Sequence, residues 1–355
     1  MKKWFALGLA LWMFLLPGCG IQTSSTVTET GTQGGFVENI TYTESPEVTE
    51  CKTFSVHARQ FGIEITKDIL LSGKTIVEES INPNNCSVWV DTSDGASLSV
   101  GDGKIYYRGI DDAWDYYNLI SMVYGERLAF STDNSAELKA CMESPYVQSA
   151  IEKLEKICSL SNDETLLLWA GILFSENDLM ERQQQLINEE FVSAEQKIIP
   201  NGNLGENCYF LRFTLTKDGI PLAGTGEPDI STMSESQTMH SYIDIIGTGD
   251  SILLLDVAGL FDYSEKDTVA VLSASEATKI FSENFSNIVL PYPAECDRYW
   301  LEYLFVSDPN AKSAFTGTLA PYWCFQIRHD EGENGIFYSA ERYNAVTGED
   351  FAYEG

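Results

Sequence analysis

The sequence predicts an α+β fold in which helices pack on antiparallel sheets, and three observations carry that expectation. Apolar residues recur at helical spacing in several stretches, strict apolar–polar alternation marks others, and the alternating stretches come in groups joined by Gly- and Asp-containing turns. After its amino-terminal segment the 355-residue chain keeps about 300 residues, enough for two cores.

The amino terminus is an address. Lys2 and Lys3 precede a thirteen-residue apolar run, Trp4 to Leu16, which ends in Leu16-Pro17-Gly18-Cys19. That run is shorter than the roughly 20 apolar residues a membrane-crossing helix needs. Residues 1–18 therefore read as a signal peptide. The segment resembles bacterial lipoprotein lipoboxes, with Pro17 where Ala, Ser, Thr or Val is usual. The resemblance implies cleavage before Cys19, a diacylglycerol and fatty acid (palmitate) on that cysteine, and a protein held on the extracytoplasmic face of the cell membrane. Ordinary secretion is the alternative. Residues 19–50 read as a flexible tether, because Gln22 to Gln33 is almost entirely Thr, Ser, Gly and Gln and cannot bury enough apolar surface to offset its ordering entropy.

Charge bounds the partners. With 53 acidic against 22 basic residues and a formal net charge of -31, the field repels nucleic acid and anionic headgroups. The lipid on Cys19 is then what holds the protein to the membrane. Solubility explains so much acid, and attraction to a basic partner or to divalent cations is the sharper alternative. Of the eight cysteines, lipidation of Cys19 leaves an odd number, so the rest do not form a closed disulfide framework. A Cys51–Cys86 bridge is open, and Cys324 reads as a small buried hydrophobe.

Next comes a strand-rich region, residues 51–140. Thr53 to Ile63 and Cys86 to Asp91 have strand character, and Gly101 to Lys104 is a turn before Ile105-Tyr106-Tyr107. Residues 141–265 form a first α+β unit. Ser144 caps a helix from Pro145 to Ile157, with Val147, Ile151, Leu154 and Cys158 on one face. A second helix runs from Glu176 to Asn188 after Ser175. Tyr209, Leu211, Phe213 and Leu215 then alternate with Arg212, Thr214 and Thr216. Lys217-Asp218-Gly219 turns the chain, and Ser241 to Ile246 and Ser251 to Leu255 make a hairpin around Gly247-Thr248-Gly249-Asp250.

Residues 266–355 form the second unit. Ser273-Ala274-Ser275-Glu276 is a capping box, and Ala277, Ile280, Phe281 and Phe285 supply the buried stripe of its helix. Strands follow at Tyr299 to Val306, Pro321 to Arg328 and Ile336 to Tyr343, with Trp323, Phe325 and Ile327 facing a core. The order helix, strand, long connection, strand, turn, strand thus occurs twice. Ser-x-x-Glu-Ala at 273 to 277, Leu319-Ala320-Pro321-Tyr322-Trp323, Tyr343 to Glu349 and the Asp218-Gly219-Ile220-Pro221 turn resemble the PepSY-like repeats of Gram-positive envelope proteins, including the YycH/YycI type. The resemblance covers about half the chain. It implies tandem PepSY-like units that bind or restrain other envelope proteins without catalysis, and it brings no active site with it.

Chemical motifs are few. Ser72-Gly73-Lys74-Thr75 has the ending of a phosphate-binding loop, but Asp68 stands where the loop needs glycine. His57, His240 and His329 are far apart and read as surface or turn residues rather than metal ligands. Asp91, Asp94 and Asp102 lack calcium-loop spacing and read as parts of solvated turns. The apolar run Leu166 to Phe174 reads as buried core, and Tyr299-Trp300 and Tyr322-Trp323 as sheet core rather than ligand cleft. No catalytic, cofactor or metal residues are assigned. The expectation is a non-enzymatic, lipid-anchored interaction or regulatory module whose partner is another envelope protein; the alternative is a binding protein for a small solute or cell-wall fragment.

Overall fold

Two antiparallel sheets organise the chain. The computed structural model describes residues 48–82, 87–129, 135–199, 202, 204–223, 241–285, 294–308, 316–330, 332 and 336–351. In order these form β1 (Glu50–Ala58), α1 (Ile63–Leu70), β2 (Ile76–Ile81), β3 (Val88–Thr92), β4 (Ser97–Gly101), β5 (Lys104–Arg108), α2 (Ala113–Ala129), α3 (Ser135–Glu143) and α4 (Pro145–Cys158). There follow β6 (Glu164–Phe174), α5 (Glu176–Asn188), β7 (Cys208–Lys217), β8 (Ile220–Pro221), β9 (Tyr242–Thr248), β10 (Ser251–Ala258), β11 (Phe261–Ala270), α6 (Ala274–Phe285), β12 (Ala294–Ser307), β13 (Thr316–Asp330) and β14 (Ile336–Asn344). The fold is α+β.

Local chemistry sets several boundaries. Ser175 Oγ accepts the Asp178 N–H at 3.1 Å while the Asp178 carboxylate accepts the Ser175 N–H at 3.0 Å, so α5 begins at Glu176. Ser273 and Glu276 make the same reciprocal pair at the start of α6. Each box satisfies N–H groups that a helix start leaves without partners, and such a cap contributes about 1 kcal/mol. Ser144 precedes α4 with extended backbone and Pro145 at its first position, without a side-chain cap.

The larger sheet runs β2-β3-β4-β5-β10-β9-β7-β6, with β8 beside β7; the smaller runs β11-β1-β13-β12, with β14 beside β13. The boundaries expected at 140/141 and 265/266 do not separate these sheets. Strand β1 pairs with β11 and β13, whereas β2 to β5 extend the other sheet. Antiparallel pairing joins strands far apart in sequence, so a linear division does not follow the cores.

Helix α4 lays Val147, Ala150, Leu154 and Ile157 against Tyr209, Leu211, Phe213 and Leu215 of β7. On the opposite face, Tyr116, Leu119 and Ile120 of α2 and Leu179 of α5 meet Ala170, Ile172 and Phe210. Every residue of β7 is buried as a result. In the smaller sheet, Phe281 of α6 stacks on Phe325 with centroids 4.4 Å apart and rings 3° from parallel. The expected helix stripe therefore meets the expected strand face.

Three details differ from the sequence reading. The strand expected over Thr53 to Ile63 ends at Ala58, where pairing with β11 runs out, and Ile63 opens α1 after Gly62. Helices α2 and α3 lie within the region read as strand-rich. The run Leu166 to Phe174 is an edge strand: Ala170, Ile172 and Phe174 are buried, while Leu167 and Leu173 face out.

Candidate functional site

A row of polar side chains crosses four adjacent strands on the α2 face of the larger sheet. The register sets Tyr106 opposite Asp256, Asp256 opposite Asp244, and Asp244 opposite Arg212. Each acid interrupts an apolar strand, Ile243-Asp244-Ile245 and Leu255-Asp256-Val257, and the sheet pairing makes them neighbours. Cross-strand partners of like charge at such short separation destabilise one another unless a cation or a proton intervenes.

Arg212 supplies the cation for one of them. Its Nε and Nη2 donate to the two oxygens of Asp244 at 2.8 and 2.7 Å, and both residues are buried. Tyr117 donates to the same carboxylate at 3.0 Å. Burial works against the guanidinium, but the charge and hydrogen bonds of Asp244 outweigh it and hold the arginine above its ordinary value. Asp244 is thus neutralised where it sits.

Among the described residues Asp256 has no buried arginine of its own, although the charges of Lys104 and Arg212 reach it. Its hydrogen bond comes from the Tyr242 hydroxyl at 3.2 Å. Burial, and after it the charge of Asp244, push its carboxyl up to about 6. The phenols of Tyr117 and Tyr242 are raised by burial and then by these same carboxylates. Above them Trp114 stacks on Tyr117 at 4.9 Å and meets Tyr106 edge-on at 6.4 Å. Trp114 remains 39% exposed, and Asp256 is half-buried.

The arrangement suits a cation. A carboxylate flanked by the faces of Tyr and Trp rings attracts an ammonium or guanidinium through charge and ring quadrupole together. A carboxyl that titrates near neutrality can also carry a proton. Sequence reasoning missed this row, although its signal was present: a lone acid inside an apolar strand requires a buried partner.

The residues singled out in the sequence lie elsewhere and do not converge. His57 is exposed near Asp262, with His57 Nε2 3.7 Å from its carboxylate. His329 Nε2 lies 2.7 Å from the Ser339 hydroxyl. Asp91 accepts from Trp89, Asp94 from Lys74 and Thr92, and Asp102 from Gln60. Cys19, Cys86 and His240 lie outside the described residues. The six described cysteines are buried and form no disulfide with one another, and burial pushes the Cys51 thiol up to about 11 and Cys158 to about 12. Tyr299 and Trp323 are core, whereas Trp300 stands against Trp169 of β6 with Arg298 over both rings, joining the edges of the two sheets. Among the described residues no group of three His, Cys, Asp or Glu is placed to hold a metal ion, and no helix is long and apolar enough to cross a membrane.

No family model and no curated protein matches the chain. A solved structure, that of an uncharacterized protein from Eubacterium rectale ATCC 33656, is similar with a TM-score of 0.57 at 15% identity, covering 91% of this chain and 92% of that one. At that identity the likeness is one of fold.

Proposed function

We propose that this protein is a lipid-anchored, extracytoplasmic interaction module that receives a basic side chain of another envelope protein at Asp256, without catalysing a reaction. The observation that carries the reading is the contrast between Asp256 and the other buried carboxylates. Glu164, Asp244 and Glu302 each hold their own arginine, while Asp256 accepts from a tyrosine hydroxyl and feels the charges of Lys104 and Arg212 without a buried arginine of its own. A lysine or arginine from outside would complete the set, and the net charge of -31 would steer such a partner inward.

The anchor is Cys19, which carries the palmitate-type lipid, and the globular part stands off the membrane on the 19–50 tether. The helix-over-three-strands arrangement, once as α4 with β6, β7 and β9 and again as α6 with β12, β13 and β14, supports tandem PepSY-like units. Nucleic acid is not a partner on electrostatic grounds.

The test is a photo-crosslinking amino acid at position 114 of the full-length protein in its own cells. A discrete protein adduct should form and fall at least fivefold on Asp256→Asn. An adduct indifferent to that change, or none at all, overturns the reading. Separately, Cys19→Ala should abolish labelling by a fatty-acid probe; persistent label would exclude Cys19 as the sole attachment site.

A further inference from the structure

Tyr106 faces the Asp256 site, and its neighbour Tyr107 points through the sheet to the opposite side. There a cleft of about 650 Å³ opens between α1, α4 and the β9–β10 turn, bordered by Ser72, Lys74, Lys153, Lys156, Asp250 and Ser251, with Tyr107 also lining it. Three lysines converge on it in a chain whose acids outnumber its bases 53 to 22. Lys153 and Lys156 lie three apart on α4 and so share a face. Lys74 follows the Ser72-Gly73 turn, where Gly73 has φ 75°.

Two of these ammonium groups, Lys153 and Lys156, have no ion-pair partner among the described residues. Lys74 pairs with Asp94 at 2.6 Å. Lys153 donates to the backbone carbonyl of Asp250 rather than to a carboxylate. Asp68 and Asp250 border the same cleft.

We propose that this cleft is a binding site for a phosphate-bearing solute. Compact ammonium charges on flexible stems suit phosphate as point charges, and the hydroxyls of Ser72 and Ser251 add donors beside them. The volume exceeds that of a bare phosphate and leaves room for an organic body carrying it. The Ser-Gly-Lys run that fails as a nucleotide loop, lying after a helix rather than between strand and helix, supplies two of the lining residues. The site is independent of Asp256, so its failure leaves the interaction reading standing.

Calorimetric titration of the purified full-length protein with inorganic phosphate, glycerol 1-phosphate, a poly(glycerol phosphate) and glycerol tests it. Saturable binding of the phosphate compounds but not glycerol is expected, weakened at least tenfold in Lys153→Gln/Lys156→Gln and unchanged in Lys279→Gln on α6. Tighter binding of glycerol 1-phosphate than of the polymer identifies a free solute, and the reverse a phosphate-bearing polymer. No saturable binding of any phosphate compound, or equal weakening by Lys279→Gln, overturns the proposal. Thermal melts of each variant confirm that a loss is not unfolding.

Discussion

The two helix-on-sheet assemblies solve the same problem in different ways. In each, an amphipathic helix covers one face of three antiparallel strands, and a buried arginine–carboxylate pair sits on the other. In the α6 assembly Arg342 of β14 meets Glu302 of β12 at 2.6 Å, across the central strand that carries Cys324. The second oxygen of Glu302 accepts the Trp300 indole N–H at 2.8 Å, so donors and acceptor balance. In the α4 assembly Arg212 and Asp244 pair on adjacent strands, but the sheet continues into β10 and brings a second acid, Asp256, alongside. Burial, and after it the charge of Asp244, then raise the Asp256 carboxyl to about 6, with Lys104 and Arg212 only partly offsetting them.

The sharpest way to break this comparison is to remove the arginines. Arg212→Met should cost about 5 kcal/mol, at the upper end for a broken buried pair, because it leaves the buried Asp244 beside a second, half-buried acid. Arg342→Met leaves one acid that keeps its indole donor and should cost about 3 kcal/mol. Urea denaturation at pH 7 measures both, and equal losses would mean that Asp256 adds nothing to the first assembly.

Phe281→Ala probes the helix contact of the second assembly. Its ring is buried between Phe325 and Phe285, so truncation should cost about 3 to 5 kcal/mol through lost burial and a cavity. A loss below about 1 kcal/mol in the same denaturation would separate α6 from the sheet.

Asp256→Asn sharpens the comparison through pH. The folded protein holds the Asp256 proton more tightly than the unfolded chain does, whose aspartates titrate near 3.9. Stability from this group is therefore fully present below about pH 4 and is lost as pH rises through about 6. Wild type should lose up to about 3 kcal/mol between pH 4 and 7 that Asp256→Asn does not. Parallel stability curves for the two proteins would show that the carboxyl is not raised.

The smallest effect belongs to Glu283→Ala. Its carboxylate and Lys279 are both largely exposed on the outer face of α6, and the change should shift stability by less than about 0.5 kcal/mol. Thermal melting beside Phe281→Ala gives the scale.

Elements with local chemistry were legible. The Ser175 and Ser273 boxes name the starts of α5 and α6, and the Gly249-Asp250 turn names the β9–β10 hairpin, because each signal lies within a few residues of the structure it creates. Helix α1 was hidden by the β-branched Ile63, Ile65 and Thr66, which read as a continuing strand. Helix α2 was missed although Ala113, Tyr116, Leu119, Ile120 and Val123 recur at helical spacing on its buried face. The Asp256 site was half legible: the lone acids in apolar strands could be seen, but not which strands would meet.

By itself, therefore, the sequence determined the Ser273 capping box, the β9–β10 hairpin, the alternation of β7 and the class of fold, since all depend on neighbours along the chain. Only the tertiary structure decided that β1 leaves its neighbours for the smaller sheet, that β10 lies beside β5 and β9 beside β7, and that Arg212 therefore pairs with Asp244 and not with Asp256. Those facts depend on pairing between residues far apart in sequence, where register sets which charges meet and burial sets what the meeting costs.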